Sequence, residues 1–384
     1  MMGALERFEK EAGKIADAYA ALEDQIFGLI IKVLKDGDYK HVDQKDVVMW
    51  QMKQLQKIGQ LNQETINLVA HTDGISEQAV TDLVKFHGMQ ISDEVDREIK
   101  DTAGDKKSVS NDVYQLIGGI AAQTWQDLQN NVNEGLVSRN YGDSIVTKAY
   151  RKVLTESTAA TVSGVMTHDD AVRSAMYRIV DKGLPTKLTD KAGHTWSIES
   201  YTRMVVSTTV HRTYNEVRTK RMKDFGMTVA LMSSHPNSRP ACAHIQGKVV
   251  NLVPHGDPAY DPRFPTIYDY DYGEPAGTLG INCRHVLSPF DPEINENNQP
   301  QYDPEEAIEN GKLVQQQRAR ERAIRDAKKR LMVAQEFGDQ DAINRAKTLI
   351  RARQDKLRSF IKDTNTDKGK TILTREYSRE QIVK

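Results

Sequence analysis

SSHPNSRPACAHIQGKVVNLVPHGDPAYDPRFPTIYDYDYGEPAGTLGINCRHVLSP, residues 233–289, holds both cysteines of the chain, Cys242 and Cys283, and each stands two residues before a histidine, His244 and His285. Proline and glycine punctuate it at Pro236, Pro240, Gly247, Pro254, Gly256, Pro258, Pro262, Pro265, Gly273, Pro275, Gly277 and Gly280. Proline lacks an amide proton and fixes its own φ, so this run is neither one long helix nor a flat sheet. Something other than a large apolar core must shape it: a bound metal, a disulfide, or side-chain packing alone.

Each alternative has its own residues. Structural zinc takes four ligands from thiolate sulfur and imidazole nitrogen, and Cys242, His244, Cys283 and His285 supply such a Cys2His2 set. In extended backbone, residues i and i+2 point to one side, so each Cys-x-His pair would offer two donors to one ion. His235 is the substitute ligand if another histidine faces away. One residue between paired ligands is fewer than the two to four usual in zinc fingers and ribbons. Packing alone would bury both cysteines as small apolar residues, with the histidines satisfied by backbone carbonyls. A disulfide would require an oxidising environment. No local signature of a thiol hydrolase surrounds either cysteine. Asn282, His235, His244 and His285 together keep a metal-dependent nuclease open as the enzymatic alternative.

Working outward, 384 residues are enough for two or three domains, and an apolar content of 38% allows at least one real core. A charged fraction of 28% and a mean hydropathy of −0.61 place much of the chain on exposed helix or on surface that meets a partner. The net charge of −1 leaves nucleic-acid binding to local charge distribution. No window has the eighteen or so apolar residues of a membrane helix. Glu6, Arg7, Glu9 and Lys10 precede any apolar run, unlike a secretory signal, so synthesis in a cytoplasm is expected.

The pattern predicts a mainly α protein in three regions. Residues 1–184 form an elongated N-terminal helical bundle, residues 185–292 a small α+β Cys/His module, and residues 293–384 a charged helical hairpin and tail. In the first, Leu5, Phe8, Ala12, Ile15, Tyr19, Leu22, Ile26 and Ile30 recur at helical spacing until Gly37. One helix is expected from Asp43 or Gln44 to Ala70, and others over 76–102, 111–132, 143–165 and 168–181. Asp43 and Ser110 are better N-cap candidates than Ser76, which has Ala79 and no Glu or Gln three residues on. In the second, Lys187 to Ile198 reads as a hairpin turning through Asp190, Lys191, Ala192 and Gly193. A helix over 200–225 ends at Gly226, and a strand over 228–232 leads into the cysteine segment. In the third, Gly338 turns a helical hairpin and the chain from Thr364 is an extended tail.

The third region is basic. Arg318, Arg320, Arg322, Arg325, Lys328, Lys329 and Arg330 face only Glu321 and Asp326 within their own stretch. Such a helix beside a polyanion gains affinity by counterion release, and no base-reading motif accompanies it. The plainer alternative is a solvated face laced by pairs such as Glu321 with Arg325.

Ser234-His-Pro236, Arg239-Pro-Ala-Cys-Ala243, Gln246-Gly-Lys-Val249, Tyr272-Gly-Glu-Pro275 and Gly280-Ile-Asn-Cys-Arg-His285 resemble the minor capsid proteins of tailed bacteriophages of the "minor capsid protein 2" type. The preceding long helix, with Thr208, Thr209 and Asn215, is similar to the head-morphogenesis group typified by the F protein of phage Mu. The resemblance is dense from about Arg203 to Phe290 and looser beyond. It implies a structural virion protein of the phage head, assembled in the bacterial host cytoplasm. The implied partners are the portal protein, the major capsid protein and packaged double-stranded DNA met without sequence specificity. A DNA-binding ejection protein and a toxin-like effector delivered with the genome are the alternatives. The wider group carries Cys-x-x-Cys and His-x-x-Cys-Arg-Cys where this chain has Cys242-Ala-His244 and Cys283-Arg-His285, so a zinc site does not transfer by resemblance.

Overall fold

The computed structural model describes residues 3–72, 74–103, 108–137, 144–189, 193 and 195–382. Helix α1 (Ala4–Lys35) buries Phe8, Ala12, Ile15, Tyr19, Leu22, Ile26 and Ile30 along the stripe their spacing demands. The single helix expected to Ala70 is two, α2 (Val47–Leu55) and α3 (Ile58–His71). They part at Gln56 and Lys57 because α2 packs on a later helix while α3 turns onto α1. Helix α4 (Glu77–Ala103) follows, then α5 (Asn111–Leu128), which runs through a π turn at Gln129–Asn133 into the short α6 (Glu134–Leu136). In the π turn Asn133 accepts a 2.8 Å hydrogen bond from the buried Tyr19 hydroxyl. Helices α7 (Ile145–Val162) and α8 (His168–Lys182) are capped by the hydroxyls of Ser144 and Thr167. The start proposed for α7 at Asp143 lies outside the described residues.

The cap expectations need correction. Ser76 does cap α4, accepting from Ala79 N at 3.0 Å, and needs no reciprocal Glu to do so. Asp43 lies ahead of the helix start, where Asp46 holds the N-cap position without a side-chain bond. Ser110 is the N-cap of α5, but its hydroxyl donates to Asp224 at 3.0 Å instead.

Strands β1 (Pro185–Thr189) and β2 (Thr195–Ser197) pair antiparallel; of their turn, Asp190, Lys191 and Ala192 lie outside the described residues. Helix α9 (Ile198–Asp224) then threads between α1, α4 and α5. Gly226 follows with φ +81°, the left-handed conformation that releases the chain into β3 (Val229–Met232). After the short helix α10 (Pro240–Ala243) come β4 (Val249–Asn251) and β5 (Leu287–Pro289), which flank β3 antiparallel on either side. A small core closes on this sheet: Ala230, Met232, Cys242, Ile245, Val250, Leu252, Ile267, Cys283 and Leu287, with Val95 and Ile99 of α4 and Met222 of α9. The module thus rests on bundle helices.

Helices α11 (Pro304–Phe337) and α12 (Gln340–Asp367) form the expected hairpin about Gly338, φ +70°. With 34 residues α11 is about 50 Å long. Near its start Asn310 donates to Pro236 O at 2.9 Å and Ser238 N donates to Ala307 O at 2.9 Å, fastening it to the cysteine module. Near its end Val333, Ala334 and Phe337 enter the main core with α1, α8 and α9. The last residues are not a loose tail: Leu373 is buried, and Glu380 is buried against Arg375. The basic side chains of α11 draw this segment in, through Arg318 to Glu376 at 2.9 Å and Lys328 to Gln381 at 2.7 Å.

One buried ionic cluster ties the regions together. Lys329 Nζ lies 2.6 Å from Glu23 of α1, 2.9 Å from Glu199 of α9 and 3.9 Å from Asp24, and Arg325 lies 2.9 Å from Glu199. The second oxygen of Glu23 accepts the Leu184 amide at 2.6 Å.

Candidate metal centre

Three donors converge behind the β3–β5 edge. Cys242 Sγ is 3.6 Å from Cys283 Sγ, and Cys283 Sγ is 3.4 Å from His285 Nδ1. All three residues are buried, and their ligand atoms lie within 4.8 Å of one another. Both cysteines are free thiols. Cys242 is offered by the single turn of α10, which Pro240 opens at a position where a missing amide proton costs nothing. Cys283 and His285 come from the segment entering β5. Asn282 just before them has φ +59°, a left-handed turn that Asn tolerates and that redirects the chain toward α10.

Helix α9 holds that segment in place. Asn215 donates to His285 O at 2.9 Å and accepts from Leu287 N at 3.0 Å, while Arg218 Nε donates to Leu287 O at 2.7 Å. A polar helix thus supplies the pairing that a further strand would, which is why Asn215 and Arg218 are buried.

Gln246 orients the imidazole. Its Oε1 accepts the backbone N–H of His235 at 3.0 Å, a group that can only donate, so the amide oxygen must face inward. The same oxygen lies 2.8 Å from His285 Nε2, so Nε2 carries the proton and the Nδ1 lone pair faces the sulfurs. Thr278 Oγ1 lies 3.7 Å from Cys242 Sγ. The two thiols are unequal. The hydrogen bond from Cys283 draws the Cys242 thiol well below the ordinary range, and the same contact together with burial holds Cys283 protonated.

His244 does not join them. The extended geometry expected for Cys242-Ala-His244 is replaced by a helical turn, in which residues two apart diverge by about 200°. Its side chain is exposed at the C-cap of α10. His235 packs its ring edge-on against His285, centroids 4.6 Å apart, and sits 3.4 Å from Ser233 Oγ. The residues of the nuclease alternative are scattered accordingly, with His244 and Asn282 exposed and His285 buried. Residue types alone did not point to Gln246 or Thr278. The Cys-x-x-x-Gln spacing was the available signal, since one helical turn puts Gln246 over Cys242.

The basic run of α11 is mostly turned inward or paired. Arg318 is held by Glu321 and Glu376, Arg325 and Lys329 by Glu199, Lys328 by Gln381 and Arg330 by Asp181 at 3.1 Å. Arg320 lies over the Phe360 ring at 3.8 Å, and Arg322 is exposed. On α12, by contrast, Arg345, Lys347, Arg351, Lys356 and Lys362 are exposed. Apolar side chains are also exposed on α2, the end of α7 and the α7–α8 connection: Val48, Met49, Met52, Leu55, Val162, Val165 and Met166. The two elements adjoin, since α2 packs on α7 and Gln44 Nε2 donates to Val162 O at 2.7 Å. No described helix is long and apolar enough to cross a membrane.

Comparison with known proteins matches residues 5–362 to the family described as phage minor capsid protein 2. A structural protein of Lactococcus phage LL-H is 41% identical over 368 residues, covering 95% of this chain and 98% of that protein. A structural protein of Lactococcus phage mv4 is 43% identical over 126 residues, covering 33% of this chain and 98% of that protein. No solved structure matches the chain.

Proposed function

The chain belongs to the phage minor capsid protein 2 family, and from that premise we propose that it is a structural protein of the phage head, docked on the portal and major capsid proteins through the apolar face of α2 and the α7–α8 connection. The observation that carries the docking surface is the exposure of Met49 (58%), Met52 (56%) and Val165 (71%) on adjoining elements. Single exposed apolar residues are ordinary, but a contiguous group is a mark of a surface that a partner covers. Methionine suits such a surface because its unbranched thioether adapts to an irregular partner. No turnover is assigned: the Cys/His donors are buried and, among the described residues, no carboxylate joins them.

In phage carrying Met49→Glu, Met52→Glu and Val165→Glu together, the protein should fold but fall about tenfold or more in purified heads, since each burial of a carboxylate opposes docking. Quantitative mass spectrometry of heads measures this. Incorporation at the wild-type level would remove the face from consideration.

A second reading, contact with packaged double-stranded DNA without sequence specificity, is supported by the exposed cations of α12. The run on α11 that first suggested it is largely occupied by carboxylates. Arg345→Gln, Lys347→Gln and Arg351→Gln together should lower the slope of log affinity against log salt by about 0.9 for each phosphate that is no longer neutralised. An unchanged slope would end this reading for α12.

A further inference from the structure

We propose that Cys242, Cys283 and His285 form a buried three-donor site for one zinc ion, with His244 outside the ligand set. The spacings carry the assignment. Tetrahedral zinc with sulfur at 2.3 Å and nitrogen at 2.0–2.1 Å sets sulfur atoms about 3.8 Å apart and sulfur from nitrogen about 3.5 Å apart. Here Cys242 Sγ and Cys283 Sγ are 3.6 Å apart and Cys283 Sγ is 3.4 Å from His285 Nδ1, with all three donor atoms within 4.8 Å of one another. Two thiols in plain packing contact would explain the first distance. A Cys283 S–H donated to His285 Nδ1 is the metal-free account of the second, and it predicts no zinc or cobalt uptake.

The surroundings are those of a ligand. A histidine bound to a metal characteristically donates its other ring N–H to a carbonyl or carboxylate, which fixes the tautomer and raises its basicity. Gln246 Oε1 does this for His285, and it is itself locked by the His235 amide. Two thiolates and a neutral imidazole are a soft set suited to zinc rather than to magnesium or calcium. Binding would release the thiol protons and join positions 41 residues apart, bracing a module whose own core is small. His235 is held from the fourth position by its edge-on packing and its contact with Ser233.

The test uses the full chain, purified without chelator. Elemental analysis should find close to one zinc per chain in the wild type and in His244→Ala, and close to none in Cys242→Ser and in His285→Gln. Cobalt titrated into the stripped wild-type chain should produce thiolate-to-cobalt absorption and the intense visible bands of a tetrahedral ion. This measurement does not depend on the variants folding. A denatured, unreduced chain should show two free thiols. A stripped chain that fails to take up zinc or cobalt would overturn the site, as would a count of zero free thiols, which means a disulfide. Loss of zinc in His244→Ala would overturn the ligand set.

Discussion

Replacing Lys329 with methionine should lower the unfolding free energy by about 3–5 kcal/mol, because truncating one partner of a buried ion pair leaves the opposite charges uncompensated. Three carboxylates surround this ammonium, and Lys329, Glu23, Asp24 and Glu199 are all buried. Methionine keeps the length and most of the volume of the side chain, so the loss reports charge and hydrogen bonding rather than a cavity. Urea unfolding measures it. The double variant Lys329→Met with Glu23→Gln should recover part of the loss, since one stranded charge is removed with its partner. A Lys329→Met stability within about 0.5 kcal/mol of wild type, the range of ordinary surface substitutions, would mean that water reaches the cluster.

The same cluster predicts the direction of a pH dependence. Burial raises the Asp24 carboxyl to about 7, against the pull of Lys329, and its Oδ1 has no hydrogen-bond partner. The folded state therefore keeps this proton at pH values where the unfolded chain has lost it. Asp24 makes stability fall as pH rises from about 4 to about 7, and its contribution is flat beyond. Glu199 acts oppositely. Burial would raise it, but Lys329 and Arg325 overcome that and hold it at about 2, so its stabilisation is full above the ordinary Glu range and is lost as pH falls toward 2. In Lys329→Met the chief force lowering Asp24 is gone, so the fall should continue to higher pH at about the same slope.

What the chain revealed in advance was local. Helix α1, the turn at Gly338 and the release at Gly226 follow from side-chain period and backbone freedom, which neighbouring residues settle among themselves. The convergence of Cys242 with Cys283 and His285 was legible as residue types and spacing, but its geometry was not. Treating Cys242-Ala-His244 as extended misdirected His244, although Pro240 at a helix start was there to be read. The basic run of α11 was misleading for a deeper reason. Lys329 differs in no local way from Lys328, yet it is buried against Glu23, 306 residues earlier. A charge run reads as a surface until the tertiary partners are known. The polar α9 hid in the same manner, since Thr202, Thr209, Thr213, Thr219, Asn215, Arg218 and Arg221 are buried by the helices and strands around it.

Arg218→Met should cost about 2–4 kcal/mol, with its effect concentrated on the cysteine module, because a charged donor to buried acceptors is worth about 1.5–3 kcal/mol per bond. The guanidinium is 1% exposed. It grips Glu98 of α4 with both terminal nitrogens, donates Nε to Leu287 O in β5, and lies 4.9 Å from the Tyr214 ring centroid. Three elements thus meet on one side chain. Glu98, partly exposed, regains water when the arginine is lost, but the buried Leu287 carbonyl loses its donor from α9. Strand β5 should loosen before the bundle does. Native-state hydrogen exchange should therefore show amides of β3 and β5 losing protection while those of α7 and α8 keep theirs. Arg218→Lys should recover only part of the stability, since a single ammonium cannot reach Glu98 and Leu287 with the forked geometry that arginine provides. Uniform loss of protection across sheet and bundle would show instead that the module and the helices beneath it unfold as one unit, with Arg218 a general rather than a local brace.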